Sequence, residues 1–278
     1  METNPLKQYF RQPSIYIQLP SGGRFYQEGA LEPTANNEYP VLPMTTLDEI
    51  TYRTPDALFN GNAVNSVIES CIPNIKHAWG MPAMDIDTVL IAIRIATYGH
   101  EMDINTTCPG CENEDEYGVD LRTVMETIGR PDYTSGIDIG ELKVFLKPMS
   151  YQQINENSMA QFADQKTMAM LQQAGAEDET RLKEIGDMLK KITMFTTQAL
   201  AQSIAMVQTP QVRVVEQEHI NEWLANCDRK VFAVIRDQII KIKKQAEMQP
   251  LHIKCTSCGN DYDQQFTLDM SNFFGAAS

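Results

Sequence analysis

Two Cys-x-x-Cys pairs with matching flanks, three long stretches of helical periodicity between them, and an alternating, proline-punctuated start predict an α+β chain. In outline it is a ribbon of two hairpins, split by a large helical insertion and preceded by an extended N-terminal segment. Four regions follow. Residues 1–45 form an extended or β segment, and 46–130 a helical core that ends with the first cysteine pair. Residues 140–248 form a strand and a helical bundle or arm, and 249–278 the second cysteine pair with a C-terminal tail. A length of 278 residues suits one large domain or two ordinary ones.

Ile15-Tyr-Ile-Gln-Leu19 alternates apolar and polar like a half-buried strand, and Pro20-Ser-Gly-Gly23 turns the chain after it. Residues 33–43, which carry Pro33, Pro40 and Pro43, read as irregular. Thr45 ahead of Asp48 and Glu49 marks a helix start. A second helix is expected from Asn62 to Ile72, closed by Pro73. Asp85 and Asp87 read as the acidic start of a third helix running to Tyr98, with Gly99 just past its end. That helix is apolar almost all round and belongs at the centre of its domain. Arg94 within it needs a partner, and Asp48 or Glu49 is the expected acid.

Leu121 to Gly129 reads as a short helix, and Glu141 to Lys147 as a strand with apolar residues at 142, 144 and 146. Helices are then expected over Ser150–Ala174, Asp178–Gln208 and His219–Met248. The second carries Leu182, Ile185, Leu189, Ile192, Phe195 and Ala199 on one stripe. The third carries Ile220, Trp223, Leu224, Cys227, Val231, Val234, Ile235, Ile239 and Ile242. Met159, Met168, Met170, Met188, Met194 and Met206 cluster in this half and read as adaptable core filler, with a binding surface as the alternative. Cys71 and Cys227 fall on apolar stripes and read as buried small hydrophobes.

The other four cysteines carry the chemistry. Residues 104–121 and 253–268 each read as a strand, a tight Cys-x-x-Cys turn, a polar tip and a returning strand. Such a turn presents two thiolates to one side. Two turns facing each other make the closed tetrahedral four-sulfur set that zinc takes in structural roles. The expected ligands are Cys108, Cys111, Cys255 and Cys258, in a split zinc ribbon whose pairs lie 143 residues apart. With four thiolates in place, the nearby His100 and His252 are expected to be surface or core residues. The competing chemistry is a dithiol oxidoreductase using Cys108-Pro-Gly-Cys111. Redox motifs of that kind set the first thiol at a helix N-terminus, whereas Glu112, Glu114, Asp115 and Glu116 follow here.

Four protein ligands leave no open metal position, so a non-enzymatic protein is expected. G-x-S-x-G, a phosphate-cradling glycine loop and H-E-x-x-H are all missing from the sequence. Asp85 with Asp87, and Asp261 with Asp263, read as caps or solvated turns rather than acid–base pairs.

The net charge of −14, from 23 basic and 37 acidic residues, opposes duplex nucleic acid or an anionic membrane as the main partner. Arg236, Lys241, Lys243 and Lys244 form a short basic patch, read as the solvated face and last turn of a helix. A zinc-ribbon regulator of nucleic acid or polymerase is the second reading, and the acidic ribbon tips weigh against it. The most apolar run, Val89 to Ala96, is eight residues long and contains Arg94, against the roughly 20 residues of a spanning helix. The first five residues lack the basic start of a signal peptide. The chain is thus expected in a cytoplasm, where six cysteines do not mean three disulfides.

Several stretches together resemble a known family. They are Pro40-Val-Leu-Pro-Met-Thr-Thr-Leu-Asp-Glu-Ile50, Arg53-Thr-Pro-Asp-Ala-Leu-Phe-Asn-Gly61, Ser70-Cys-Ile-Pro-Asn-Ile75, Asp87-Thr-Val-Leu-Ile-Ala-Ile-Arg-Ile-Ala-Thr-Tyr-Gly99 and Cys108-Pro-Gly-Cys111. In that order they look like the baseplate hub family of contractile-tailed, T-even-type bacteriophages, over residues 5–125. The resemblance implies a hub component or an assembly factor at the baseplate centre, with other tail and hub proteins as partners and possible oligomerisation within the tail. It implies no catalytic residues. By the same resemblance the protein would be found in the host cytoplasm during assembly, either as a part that stays in the tail baseplate of the virion or as a factor that leaves after assembly.

Overall fold

The computed structural model describes residues 4–54, 61–173, 179–268 and 273–274, with the side chains at 168 and 170–184 excepted. Asp178, Ala174, most of the Arg53–Gly61 stretch, and the side chains of Met168, Met170 and Leu182 therefore lie outside the described residues. The chain mixes helix and strand, as the sequence indicates, and divides into two compact units. One comprises residues 1–130 and 246–278, the other 131–245.

The first unit begins with a two-stranded antiparallel sheet. Strand β1 (Ile15–Ile17) pairs with β2 (Tyr39–Val41), Ile15 opposite Val41 and Ile17 opposite Tyr39. The second strand falls inside the segment expected to be irregular. Pro40 is tolerated because this small sheet consists of edge strands only, where a missing N–H costs no ladder bond on the open side. Helix α1 (Thr46–Tyr52) starts at a reciprocal capping box. Thr45 Oγ1 accepts from Asp48 N at 3.2 Å, and Asp48 Oδ2 accepts from Thr45 N at 2.7 Å. Helix α2 (Asn62–Cys71) buries Val64, Val67, Ile68 and Cys71 and stops before Pro73.

Helix α3 (Ile86–Tyr98) buries every residue from Thr88 to Arg94, which makes it the axis of this unit. Gly99 ends it with φ at 92°, a conformation L side chains rarely adopt. Asp85 stands at the N-cap position of this helix, but its side chain neither caps it nor is solvated, contrary to the sequence expectation. It is fully buried, and its carboxylate accepts from Ser21 N at 2.8 Å, Ser21 Oγ at 2.6 Å and Tyr26 Oη at 3.0 Å. The acid thus pins the turn after β1 to the start of α3.

The partner of Arg94 also differs from expectation. Its Nη1 donates to the Phe273 carbonyl at 2.7 Å, and its guanidinium carbon lies 5.4 Å from the Tyr98 ring centre and 5.5 Å from that of Phe273. Asp48 instead accepts from Arg11 at 3.2 Å and from Ser70 Oγ at 3.1 Å, while Glu49 accepts from Tyr98 Oη at 3.2 Å. Among the described residues, a carbonyl and two ring faces meet the guanidinium because the C-terminal Phe273 and Phe274 pack into this unit, both nearly inaccessible.

Two hairpins complete the unit. Strands β3 (Glu101–Thr107) and β4 (Glu114–Asp120) form the first, and helix α4 (Leu121–Glu126) follows it, capped by Asp120.

In the second unit, β5 (Ile137–Ile139), β6 (Leu142–Leu146), β7 (Ile204–Gln208) and β8 (Arg213–Val214) make an antiparallel sheet in sequence order. Helices α5 (Tyr151–Gln173) and α6 (Glu179–Gln202) form the excursion between β6 and β7. The helix expected to reach Gln208 stops at Gln202. Its last residues become a strand because β6 offers a ladder, with Val144 opposite Val207, and Lys147 N donates to the Ser203 carbonyl at 2.9 Å.

The helix expected over His219–Met248 is two helices, α7 (Gln217–Asn226) and α8 (Arg229–Ala246). Asp228 breaks it by acting as a cap, accepting from Lys230 N at 2.6 Å. Val144, Leu146, Ala201, Ile204, Val207, Ile220, Leu224, Ile235, Ile239 and Ile242 form the core of this unit.

The helical excursion departs from the expected burial. Leu189 and Ile192 of the predicted stripe are 54% and 36% exposed, and Met159 and Met194 are 38% and 73% exposed rather than core filler. The stripe is long enough to face a second layer of helices, but α5 alone covers only part of it. Cys71 is fully buried as expected, and Cys227 half-buried, its thiol donating to the Leu224 carbonyl at 3.3 Å. Among the described residues, no helix is long and apolar enough to cross a membrane.

Candidate metal centre

The second hairpin pairs β9 (Leu251–Lys254) with β10 (Asp261–Gln264), and it builds its tip by the same bonds as the first. In the β3–β4 hairpin, Cys108 N donates to the Asn113 carbonyl at 2.9 Å and Glu112 N to the Cys108 carbonyl at 2.8 Å. At the equivalent positions Cys255 N donates to the Asn260 carbonyl and Gly259 N to the Cys255 carbonyl, both at 2.9 Å. The residue after each second cysteine takes a left-handed backbone, Glu112 with φ at 56° and Gly259 at 73°. Glycine does this freely, whereas glutamate is strained there. The shared pattern is Cys-x-x-Cys-x-Asn, so the two asparagines were a readable part of the repeat that the cysteine spacing alone left out.

The tips face each other. The four Sγ atoms of Cys108, Cys111, Cys255 and Cys258 all lie within 4.8 Å of one another, a grouping that could hold a metal ion. Cys108 and Cys258 are 3.7 Å apart, as are Cys111 and Cys255. A disulfide would need about 2.05 Å. Four sulfurs at the usual Zn–S length of about 2.3 Å stand roughly 3.8 Å apart at the corners of a tetrahedron, so the donor set fits zinc in element, number and spacing. Cys108 and Cys255 are buried, while Cys111 and Cys258 face solvent.

Contacts beyond the sulfurs hold the two hairpins in register. Tyr262 Oη donates to Thr106 Oγ1 at 3.0 Å, and Thr256 Oγ1 donates to Asp115 Oδ2. Asn260 Nδ2 lies 3.9 Å from Cys108 Sγ, and a side chain at Gly110 would crowd that asparagine at 3.3 Å. Gly110 N donates to Cys108 Sγ at 3.4 Å.

Cys108 and Cys111 are shifted in opposite directions. Burial opposes ionisation of Cys108, but the Gly110 and Cys111 amides and the neighbouring thiols Cys255 and Cys258 overcome it and pull its pKa down to about 6. At Cys111 a backbone donor at Asn113 favours the thiolate, yet Cys258, burial, Cys255 and Cys108 push it up to about 12. Sulfurs this close cannot all carry charge without a cation among them.

His252 points to Asp263 instead, its Nδ1 2.8 Å from the carboxylate, and that contact raises its pKa. His100 is outside the sulfur cluster, and its carbonyl accepts from Leu121 N at 2.8 Å. Of the acid pairs, Asp263 thus has a histidine partner and Asp261 is an exposed strand residue.

Compared with known proteins, the chain matches the family described as T4 bacteriophage base plate protein over residues 13–275, so the likeness read over 5–125 runs on through the helical excursion and the second cysteine pair. No curated protein and no solved structure matches it.

Proposed function

Because the chain belongs to the T4 bacteriophage base plate protein family, we propose that it is a non-enzymatic structural or assembly protein of the hub in a contractile tail's baseplate, with a split ribbon closed by one structural zinc ion. The four-thiol cluster carries the metal part of this reading. Cys108, Cys111, Cys255 and Cys258 would hold the ion, and bound zinc would supply the positive charge that lets four neighbouring sulfurs ionise together. Four protein ligands fill a tetrahedral site, which leaves water and substrate no place on the metal.

The rest is the work of the chain's own residues. The Gly110 amide aims at one sulfur, the Thr106–Tyr262 and Asp115–Thr256 contacts align the hairpins, and the ribbon ties together sequence segments 143 residues apart. Clips that close long loops remove the most conformational freedom from the unfolded chain.

The helical excursion provides the surface for other tail and hub proteins. Phe162, Leu189, Ile192 and Met194 are all exposed there, and adaptable apolar side chains on an open surface suit protein partners. Nucleic acid and membrane are not partners in this reading, given the charge of −14. The protein assembles in the host cytoplasm and serves at the baseplate.

Metal analysis by mass spectrometry on freshly purified protein, with thiols counted before and after chelation, tests this. The expected result is about one zinc per chain and four thiols unmasked by chelation. Cys255→Ser should abolish zinc retention, and Leu189→Asp with Ile192→Asp should keep zinc but lose capture of tail proteins. A metal-free protein with Cys108 and Cys111 oxidised together would sink the zinc reading in favour of a dithiol oxidoreductase.

A further inference from the structure

Helix α8 runs against the charge of the whole molecule. It carries Arg229, Lys230, Arg236, Lys241, Lys243 and Lys244 with the single acid Asp237, in a chain of net charge −14. Ile235, Ile239 and Ile242 are buried on one side and fix which side faces outward. All six basic residues are exposed, and so are Val234 and Ile240, at 45% and 46%. Arg236 is paired with Asp237 at 2.8 Å. Among the described residues, Arg229, Lys230, Lys241, Lys243 and Lys244 have no ion-pair partner.

The β3–β4 hairpin has the opposite pattern. From Glu101 to Asp120 it contains seven acids and neither lysine nor arginine. Side chains alternate across a strand, and the register sets Asn105 opposite Glu116 and Thr107 opposite Glu114. Glu101, Asp103, Glu114 and Glu116 therefore lie on one face, and all four are exposed. Seven-residue strands span roughly 20 Å, and the 18-residue α8 roughly 27 Å, so the helix can lie along the full length of the hairpin.

We propose that the basic face of α8 on one copy of this chain docks onto the acidic outer face of the β3–β4 hairpin on a second copy. Charge complementarity selects that occupant. The face needs a long, exposed, densely acidic strand surface, and the chain itself carries one. Complementary patches of this kind give specificity and a fast encounter even where the partners repel at long range. Two different surfaces meet, so the contact is head-to-tail, and repetition makes a ring or an open chain. The metal reading is not needed for this contact, because the charge pattern is the same with or without zinc.

Sedimentation velocity on the full-length protein tests it, at ~0.01 M and ~1 M salt, where the screening length falls from about 30 Å to about 3 Å. At low salt the sedimentation coefficient should rise with protein concentration, and at high salt it should not. Two variants, Lys241→Glu/Lys243→Glu/Lys244→Glu and Asp103→Lys/Glu116→Lys, should each weaken self-association at least tenfold with unchanged metal content and circular dichroism. Mixed together they should associate again, because each reversed patch then meets its reversed complement. A wild-type protein that stays monomeric at low salt overturns the proposal. So does association that strengthens with salt, or a mixture of the two variants that does not associate.

Discussion

The unit at 131–245 closes its core with ten side chains from two strands and three helices, all of them apolar. The unit at 1–130 and 246–278 buries Ser21, Asp48, Asp85, Thr88, Arg94 and Thr106 among its apolar residues, against only Asp164 and Ser203 among the described residues of the other. Regular elements with a repeating stripe can be held by non-directional burial alone. Long irregular segments cannot, because their backbone and turns must be fixed point by point. Polar side chains with several directed bonds do that here. Arg11 donates to the Pro43 and Ser70 carbonyls at 2.6 and 2.8 Å as well as to Asp48, and so ties the N-terminal segment to both α1 and α2. Apolar burial is forgiving of small changes in shape, whereas a buried polar pin is sensitive to pH and to the loss of a single partner.

The contrast is broken most strongly from the apolar side. Ile235 is fully buried in the second unit, so Ile235→Ala should cost about 2–5 kcal/mol in that unit's unfolding. The metal content of the other unit's four-cysteine cluster should not change. Urea denaturation followed by circular dichroism, with metal content measured on the same sample, reads both. A parallel fall in metal content would mean that the two units do not unfold independently.

On the polar side the lever is pH. Burial pushes the Asp85 pKa up to about 6 from the ordinary 3.8, against the opposing bonds from Ser21 and Tyr26. A folded-state value above the unfolded one means that ionisation works against the fold. The stability tied to Asp85 is then fullest below about pH 4 and is lost as pH rises through 6. Between pH 5 and 7.5 the wild type should lose about 1 kcal/mol relative to Asp85→Asn, a difference that cancels any metal loss common to both proteins. Parallel denaturation midpoints across that range would refute a titrating Asp85.

The smallest effect compares the two knuckles within one unit. Glu112 occupies the left-handed position that Gly259 holds in the other tip. Relief of about 1–2 kcal/mol of backbone strain is partly offset by the greater freedom of glycine in the unfolded chain, so Glu112→Gly should stabilise by roughly 0.5 kcal/mol. A slightly higher melting temperature is the expected sign, and a lower one would show that the glutamate side chain supports the tip.

Much of this was readable one segment at a time. The threonine before α1, the proline after α2 and the glycine after α3 are local signals, and the structure has a helix boundary at each. The resemblance to the base plate family was likewise carried by short stretches and holds over 13–275. Asp228 was also a local signal. It went unread because the apolar stripe runs through it without changing phase, from Leu224 to Ile235.

What a window of sequence cannot carry is the identity of a distant partner. Residues 204–208 have helical neighbours and become a strand only because β6, some 60 residues earlier, leaves a ladder open to them. Asp85 looks like any helix-start acid until Ser21 and Tyr26 enclose it. Arg94 donates to a carbonyl 179 residues away, while Asp48 and Glu49 bond elsewhere. The sequence by itself determined where the chain turns, which faces are apolar and how the cysteines are paired along it. Only the tertiary structure decided which polar groups lose their water and what replaces it, because desolvation depends on everything that surrounds a group and not on its neighbours in sequence.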